Sequence, residues 1–222
     1  MKRPDLFLMA KQPQPGLAKT RLAQVCGAQG AAEIAAALIR ETVSLAASYW
    51  PGEVFLSVAP DAGHPLFQAL AAEFSIHLVG QGEGDLGARM LRLLGEGIAR
   101  RGAAAVMGCD VPHCKWSTIE QAYEALARGR NAIGPTLDGG YYFLGLQQAT
   151  SSLFEGIEWG GNQVLRQTRA LALQAGIEFE TLETLRDVDT WEDLLSVALH
   201  YPPLQPFATR SLRAGLPDGK GS

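Results

Sequence analysis

Residues 6–22, LFLMAKQPQPGLAKTRL, decide how the rest of the chain is interpreted. The first five residues are apolar without alternation, a pattern typical of a short strand that is buried on both faces. The following Pro- and Gly-containing loop carries three cations, Lys11, Lys19 and Arg21. Residues 27–50 are rich in alanine and have apolar residues at helical spacing, which predicts a helix. Since ligands of open α/β sheets bind beyond the carboxyl ends of strands, this loop is predicted to cradle a polyphosphate.

Two well-known phosphate-binding motifs do not match this loop. A P-loop has a glycine directly before its lysine, whereas Ala18 precedes Lys19 and Gly16 stands too close to it. The G-x-G-x-x-G fingerprint is also absent from the first turn, which argues against a nicotinamide or flavin enzyme. A solvated surface loop with three ordinary cations is the competing interpretation of the same residues.

Size and composition limit the possible classes of protein. The chain has 222 residues, 19 Lys+Arg and 23 Asp+Glu, and its formal charge is -4. This length fits one α/β domain, and the mild acidity gives no support for a nucleic-acid-binding surface. No apolar run approaches the ~20 residues of a membrane span, and the first apolar stretch is too short for a signal peptide. We therefore expect a cytoplasmic protein without a membrane span, whose three cysteines are reduced and structural.

Strands and helices are predicted to alternate after the first helix. The predicted strands are 53–59, 75–79, 103–107, 131–136, 141–146 and 177–182, and the predicted helices are 65–73, 86–101, 116–128, 162–175 and 190–200. Such alternation predicts a mostly parallel, doubly wound α/β sheet with helices on both faces, made mixed by the hairpin-like fifth and sixth strands. Residues 1–200 would form this single domain. Residues 201–222, rich in Pro, Gly and Ser, are predicted to be a loosely ordered tail.

Acidic residues at element ends are candidate metal ligands. Asp110 directly follows a buried strand, and its carboxylate is the oxygen ligand that hard cations prefer. Asp187 and Asp189 alternate onto one face of an extended segment. Asp189 is interpreted either as a second metal ligand or as the cap of the last helix. Thr190 is the other candidate for this cap. Asp138 has the position of a turn residue and, alternatively, of a group that orients or deprotonates an acceptor hydroxyl.

The glycine-rich stretch at residues 80–87 predicts a second part of the binding site. Its glycines allow a backbone to approach a flat base or a ribose closely. Gln81 offers an amide whose donor and acceptor could recognise a base edge. Arg89, one turn inside the next helix, is predicted either to reach phosphate or to pair with Asp85.

Six motifs, taken in order along the chain, carry a family resemblance: KxPxPGxxKTRL, GDLGxRM, GxDxP, GPTxDGGYYxxGL, FxGIxW and DVDTxEDL. This set resembles the bacterial DUF2064 group, predicted glycosyltransferases with the GT-A (nucleotide-diphospho-sugar transferase) fold. The resemblance covers about residues 6–199. The opening loop is also similar to that of phospholactate guanylyltransferases. It differs from typical sugar nucleotidyltransferases, which have a GGxGxR loop, and this difference weighs against chemistry that releases pyrophosphate.

The resemblance implies a single Rossmann-like domain that binds a nucleotide-sugar or nucleotide donor, a small-molecule acceptor and Mg²⁺ or Mn²⁺. Carried over by position, the implied donor-binding residues are Lys11, Gly16, Lys19, Arg21, Gln81, Gly87 and Arg89. The implied metal ligands are Asp110 and Asp189, and the catalytic set would be Lys19, Arg21, Asp110 and Asp138. Glycosyl transfer is the expected reaction; nucleotidyl transfer from a triphosphate and non-catalytic nucleotide binding are the alternatives.

Overall fold

The computed structural model describes residues 3–214. The strands are β1 Asp5–Lys11, β2 Val54–Ala59, β3 His77–Gly80, β4 Ala104–Gly108, β5 Asn131–Pro135, β6 Tyr141–Leu146 and β7 Phe179–Thr181. The helices are α1 Thr20–Tyr49, α2 Pro65–Phe74, α3 Leu86–Arg101, α4 Trp116–Ala127, α5 Val164–Gln174, α6 Trp191–Ala198 and α7 Gln205–Ala214. Short 3-10 turns occupy Ser151–Phe154 and Pro202–Leu204.

These strands form one sheet in the order β3-β2-β1-β4-β6-β5-β7. Strand β6 runs antiparallel to both of its neighbours, and the other pairs are parallel. The predicted mixed, mostly parallel sheet is therefore confirmed. The antiparallel strand arises where residues 136–140 make a tight turn between β5 and β6, which leaves no room for a crossover helix.

Side chains of β1 alternate between two hydrophobic layers, as expected for a strand covered on both faces. Leu6 and Leu8 belong to the layer formed with α1, α2 and α4. Phe7 belongs to the opposite layer, which includes residues of α3 and α5. The unbroken apolar run that predicted this strand thus fills two cores at once.

The carboxyl ends of β1 and β4 lie side by side because these strands are parallel neighbours. The strand order of the sheet reverses between them. Met9 of β1 is in register with Gly108 of β4. The loop after β1 and the residues after β4 consequently open into one crevice, the place where ligands of doubly wound sheets bind.

Helix α1 differs from the prediction in its start and in its hydropathy. It begins at Thr20 rather than at residue 27, and Gly27 interrupts it with non-helical dihedral angles. By length and composition it would also pass as a membrane span, contrary to the expectation that no segment of the chain does. Within this fold its apolar residues have two partners. Val43 lies in the layer against the sheet, and Leu38 packs in a third cluster with residues of α6 and α7.

Part of the segment predicted to be a loose tail is folded. Leu204 is fully buried against α1 and α6, and helix α7 follows it. The hydroxyl of Tyr201 donates a hydrogen bond of 2.7 Å to the carboxylate of Glu41 in α1. Residues 215–222, which the same prediction included, lie outside the described residues.

Candidate functional site

The loop after β1 ends in an unusual backbone conformation that aims a lysine into the crevice. Lys19, directly before α1, has φ 48° and ψ 50°, in the left-handed region. For a residue other than glycine this conformation costs on the order of 1–3 kcal/mol and persists only where the surroundings impose it. The Lys19 side chain is 10% exposed, whereas Lys11 and Gly16 of the same loop are exposed. The loop therefore buries one of its three cations.

Lys19 joins the two sequence regions that carry the acidic motifs. Its Nζ lies 2.7 Å from Asp110 Oδ1 and 3.5 Å from Asp189 Oδ1. Arg21 donates to the other oxygen of Asp189 at 3.1 Å. Burial alone would lower the pKa of Lys19, but the carboxylates of Asp110, Asp189 and Asp187 outweigh it and raise the pKa. Lys19 is therefore a permanent positive charge in the crevice.

The structure shows which residue caps helix α6, one of the two roles considered for Asp189. Helix α6 is capped by Thr190, whose hydroxyl accepts from the Asp193 amide while the Asp193 carboxylate accepts from the Thr190 amide. This capping box leaves the Asp189 carboxylate to Lys19 and Arg21. The amide of Val188 also donates to the carbonyl of Asp110 at 2.9 Å, which holds the two acidic segments together.

Two further aspartates border the same crevice. Oδ1 of Asp138 accepts from Thr136 Oγ1 and from the amide of Gly140, so the predicted turn role is present. Asp138 also lines the crevice. Burial raises the pKa of Asp187 to about 6, and the nearby charges of Asp138 and Asp110 add to the increase. The crevice thus brings together four carboxylates and a buried ammonium group.

The crevice has a volume of about 680 Å³, within the range of sites for small molecules and cofactors. Charged and polar side chains from the three regions that the sequence pointed to line it: Lys11, Lys19, Arg21, Gln81, Asp110, Asp138, Asp187 and Asp189. The cations come from the loop after β1, and two of them, Lys19 and Arg21, are paired with the carboxylates of Asp110 and Asp189. An anion with an attached metal ion would match this division of charge.

The glycine-rich segment takes positions that differ from the predicted ones. The amide nitrogen of Gln81 donates to the carbonyls of Ala10 and Ser57, so its donors are not available to recognise a base. Arg89 donates to the Gly84 carbonyl and to Gln81 Oε1; it braces the loop, and no ion pair with Asp85 occurs in the described part of the chain. These contacts make the segment a rigid wall of the crevice.

Gly87 is not among the residues that line the crevice; it packs against the indole ring of Trp159. A Cβ at this position would lie 2.6 Å from the ring, closer than any real contact. Glycine is therefore required here for the close approach of helix α3 to Trp159. This packing gives no support to the donor-binding role that the resemblance implies for Gly87, which stays a prediction.

A smaller chamber of about 280 Å³ adjoins the crevice. Met9, Leu86, Asp110, Asp138 and Gly160 border both spaces. The rest of the chamber wall is largely apolar, with side chains from Met90, Val106, Tyr141, Tyr142, Trp159 and Val164. Tyr141 and Tyr142 belong to the GPTxDGGYYxxGL motif, and the other apolar residues received no site assignment from the sequence. The FxGIxW and GDLGxRM motifs, which contain Trp159 and Met90, were the signal that could have pointed to them.

Carboxylate oxygens of the crevice already share a cation. Among residues 3–214 no group of three or more His, Cys, Asp and Glu side chains is arranged to hold a metal ion. Asp110 and Asp189, however, direct one oxygen each at the Lys19 ammonium group. Mg²⁺ and similar hard ions commonly bind through one or two carboxylates, with phosphates and water as the other ligands. This donor pair fits such an ion.

The sheet order, with a crevice at its switch point, defines the nucleotide-diphospho-sugar transferase fold. A candidate nucleotide-diphospho-sugar transferase from Desulfovibrio desulfuricans is 26% identical, with a TM-score of 0.83 over 96% of this chain and 98% of that chain. The chain belongs to the DUF2064 family, described as uncharacterized proteins conserved in bacteria, through residues 42–161.

Two more distant structures share the fold. The CMP:2-keto-3-deoxy-manno-octonic acid synthetase, solved with CTP, is 11% identical, with a TM-score of 0.54 over 88% of this chain and 97% of that chain. A Mycobacterium tuberculosis protein in complex with manganese is 14% identical, with a TM-score of 0.56 over 89% of this chain and 99% of that chain. No curated protein matches the chain in sequence.

Proposed function

We propose that the protein is a divalent-metal-dependent transferase that uses a nucleotide-diphospho-sugar as donor. The observation that carries this proposal is the pair of connected spaces at the carboxyl edge of the sheet. One is a crevice with cations and carboxylates, and the other is a largely apolar chamber. Asp110 and Asp138 border both spaces, so a bond broken in the first could be remade from the second.

The donor phosphates would bind along the cationic side of the crevice. Lys19 is the central contact in this proposal, with Arg21 beside it and Lys11 at the exposed end of the loop. Asp110 and Asp189 would hold Mg²⁺ or Mn²⁺ through their oxygens. When bound, such an ion offsets the charge that develops on the leaving diphosphate. The manganese in the structurally similar mycobacterial protein is consistent with this ion class.

The acceptor would enter from the chamber side. Asp138 is held rigidly by Thr136 and Gly140 through Oδ1, and its Oδ2 makes no side-chain or turn hydrogen bond among the described residues. A carboxylate fixed in this way can orient an acceptor hydroxyl and take its proton. We therefore assign Asp138 the role of general base in the proposed reaction.

Nucleotidyl transfer is the second candidate, since the solved structures with this fold include a CTP-bound synthetase. The two reactions release different products: nucleoside diphosphate from a nucleotide-sugar and pyrophosphate from a nucleoside triphosphate. The opening loop of this chain lacks the GGxGxR motif, so we favour the first. A purely nucleotide-binding protein would release neither.

The test is a product assay with a panel of nucleotide-sugars and nucleoside triphosphates in the presence of Mn²⁺. In an assay without added acceptor, water takes the place of the acceptor. Slow hydrolysis of the correct donor is therefore detectable before the acceptor is known. We expect nucleoside diphosphate release, abolished by Asp110→Asn and unchanged by Glu96→Gln, a matched charge loss at an exposed position of α3. Pyrophosphate release would replace the proposal by nucleotidyl transfer. Binding without any turnover would leave only a nucleotide-binding protein.

A further inference from the structure

The small chamber beside the crevice indicates what kind of acceptor the enzyme uses. We infer that the acceptor is an alcohol or phenol with an apolar body and a single reacting hydroxyl, rather than a sugar. This inference rests on the proposed function for the identity of the reaction. Its structural basis, the lining of the chamber, is independent of which nucleotide binds next door.

The chamber wall is made of thioethers, aliphatic groups and aromatic rings. Met90, at 4% exposure, and Val106, at 3%, line the chamber together with Tyr141. Met9 and Trp159 also line it. Methionine side chains adapt their shape to an apolar guest and make favourable contacts with aromatic rings.

Hydrogen-bonding groups near the chamber are already in use or out of reach. The amide of Gly140 donates to Asp138, and the amide of Gly161 donates to the carbonyl of Glu158. The indole N–H of Trp159 is buried on the side of Gly87 without a partner, so the chamber meets the ring of Trp159 rather than its donor. The Tyr141 hydroxyl contacts the sulfur of Met90 at 4.0 Å and interacts with the hydroxyl of Thr168.

A sugar in this chamber would exchange its hydrogen bonds with water for apolar contacts, which is unfavourable for each unpaired hydroxyl. An aryl or branched alkyl group would gain free energy by leaving water for the same surface. The charged side chains that border the chamber, Asp110 and Asp138, stand on the wall shared with the crevice. The lining thus matches a molecule with one hydroxyl directed at the donor and an apolar remainder directed away.

The proposed transfer is balanced with this acceptor. The hydroxyl oxygen of the acceptor forms a bond to the anomeric carbon of the donor sugar as the bond between that carbon and the phosphate oxygen breaks. The nucleoside diphosphate leaves with the electron pair of the broken bond. The hydroxyl proton passes to the carboxylate of Asp138.

Methionine methyl NMR tests the chamber without requiring turnover. The chain has four methionines, and two of them, Met9 and Met90, line the chamber. Met107 lies in the core on the other face of the sheet and serves as an internal control. We would titrate the protein with p-cresol and benzyl alcohol, and in parallel with glucose and glycerol. Substitution of each methionine by leucine assigns the signals.

We expect the aryl alcohols to shift the Met9 and Met90 methyl signals through their ring currents and to leave Met107 unmoved. Val164→Thr, which adds a hydroxyl to the chamber wall at nearly constant shape, should weaken p-cresol binding about tenfold. If glucose or glycerol binds the chamber more tightly than the aryl alcohols, or if no probe moves Met9 and Met90, the inference is wrong.

Nucleotide binding is measured separately by thermal shift with nucleoside diphosphates and Mn²⁺. Aryl alcohol binding without any nucleotide binding would overturn the proposed donor and keep the chamber assignment. Nucleotide binding together with preferred sugar binding in the chamber would overturn the acceptor class and keep the proposed function.

Discussion

Lys19→Met separates the two roles that the structure gives to the Lys19 ammonium group. This group lies 2.7 Å from Asp110 and 3.5 Å from Asp189, where it neutralises the carboxylates proposed to hold the metal. The same group is the proposed contact for the donor diphosphate. Methionine keeps most of the length of the unbranched side chain and removes its charge. The substitution should therefore affect nucleotide and metal binding in opposite directions.

The size of each effect follows from the contacts. Loss of a hydrogen bond to a charged group is worth about 1.5–3 kcal/mol, so nucleoside diphosphate affinity should fall about 10- to 150-fold. Without nucleotide, Mn²⁺ no longer competes with a tethered cation. Asp110 and Asp189 are 51% and 41% exposed, so solvent screening reduces the gain to about 1–2 kcal/mol, or about five- to thirtyfold tighter Mn²⁺ binding.

The assay is Mn²⁺ titration followed by electron paramagnetic resonance, first without nucleotide and then with UDP or GDP. Lys11→Met is the matched control, since Lys11 lies on the same loop and lines the same crevice. Lys11 makes no ion pair in the described part of the chain, so its loss should weaken nucleotide binding modestly and leave nucleotide-free Mn²⁺ binding nearly unchanged. Weaker Mn²⁺ binding by Lys19→Met, or equal effects of both variants, would refute the reasoning.

Three further predictions concern stability and packing. The pKa of Asp187 is raised from 3.8 to about 6 in the folded protein, so the fold loses stability as pH rises through that range and Asp187 ionises. Asp187→Asn should therefore stabilise the metal-free protein by about 1–2 kcal/mol in urea unfolding at pH 7 and by almost nothing below pH 4. Gly87→Ala should displace Trp159 and weaken p-cresol binding without loss of nucleotide affinity. The control is Gly95→Ala on the same helix, where an added Cβ would have its nearest neighbour at 3.9 Å. This variant should stabilise the protein by about 0.5–1 kcal/mol. Asp5 is fully buried and paired with two arginines that are 46% and 40% exposed. Asp5→Ala should destabilise the fold by about 2–3 kcal/mol in the same unfolding assay. Ligand binding should stay intact, because Asp5 lies at the opposite end of β1 from the crevice.

The order and type of the elements from β1 to α6 were predictable because each is signalled locally, whereas α7 was not predicted. The unbroken apolar run at residues 6–10 identified β1, and the apolar run before Gly108 identified β4. Asp85, a residue type that favours helix N-caps, directly precedes α3 and accepts from the Ala88 amide. The start of α1 was not predictable in the same way. Residues 20–26 follow Lys19, whose backbone is left-handed, and Gly27 separates them from the rest of the helix. The helical spacing of apolar residues is interrupted at that glycine, so it does not reveal the earlier start.

Contacts between distant segments limited what the sequence could say about the site. The cations and the aspartates were recognised as candidates from their positions at strand ends, but their pairing through Lys19 depends on the sheet order. The roles of Gln81 and Gly87 were predicted from the glycine-rich composition, the amide group of Gln81 and the family resemblance. Their actual partners, the carbonyl of Ala10 and the ring of Trp159, lie far away in sequence.

The charge balance of the crevice has a consequence for the order of binding under the proposed function. Lys19 and Arg21 offset part of the charge on Asp110 and Asp189 in the ligand-free protein. A diphosphate that recruits Lys19 leaves these carboxylates without their partner and adds negative charge of its own, so it binds poorly unless a divalent ion arrives with it. The ion in turn gains phosphate oxygens as ligands. Since coupling between two ligands is reciprocal, metal and nucleotide should each raise the affinity of the other, and Lys19→Met should reduce that coupling by raising metal affinity in the absence of nucleotide.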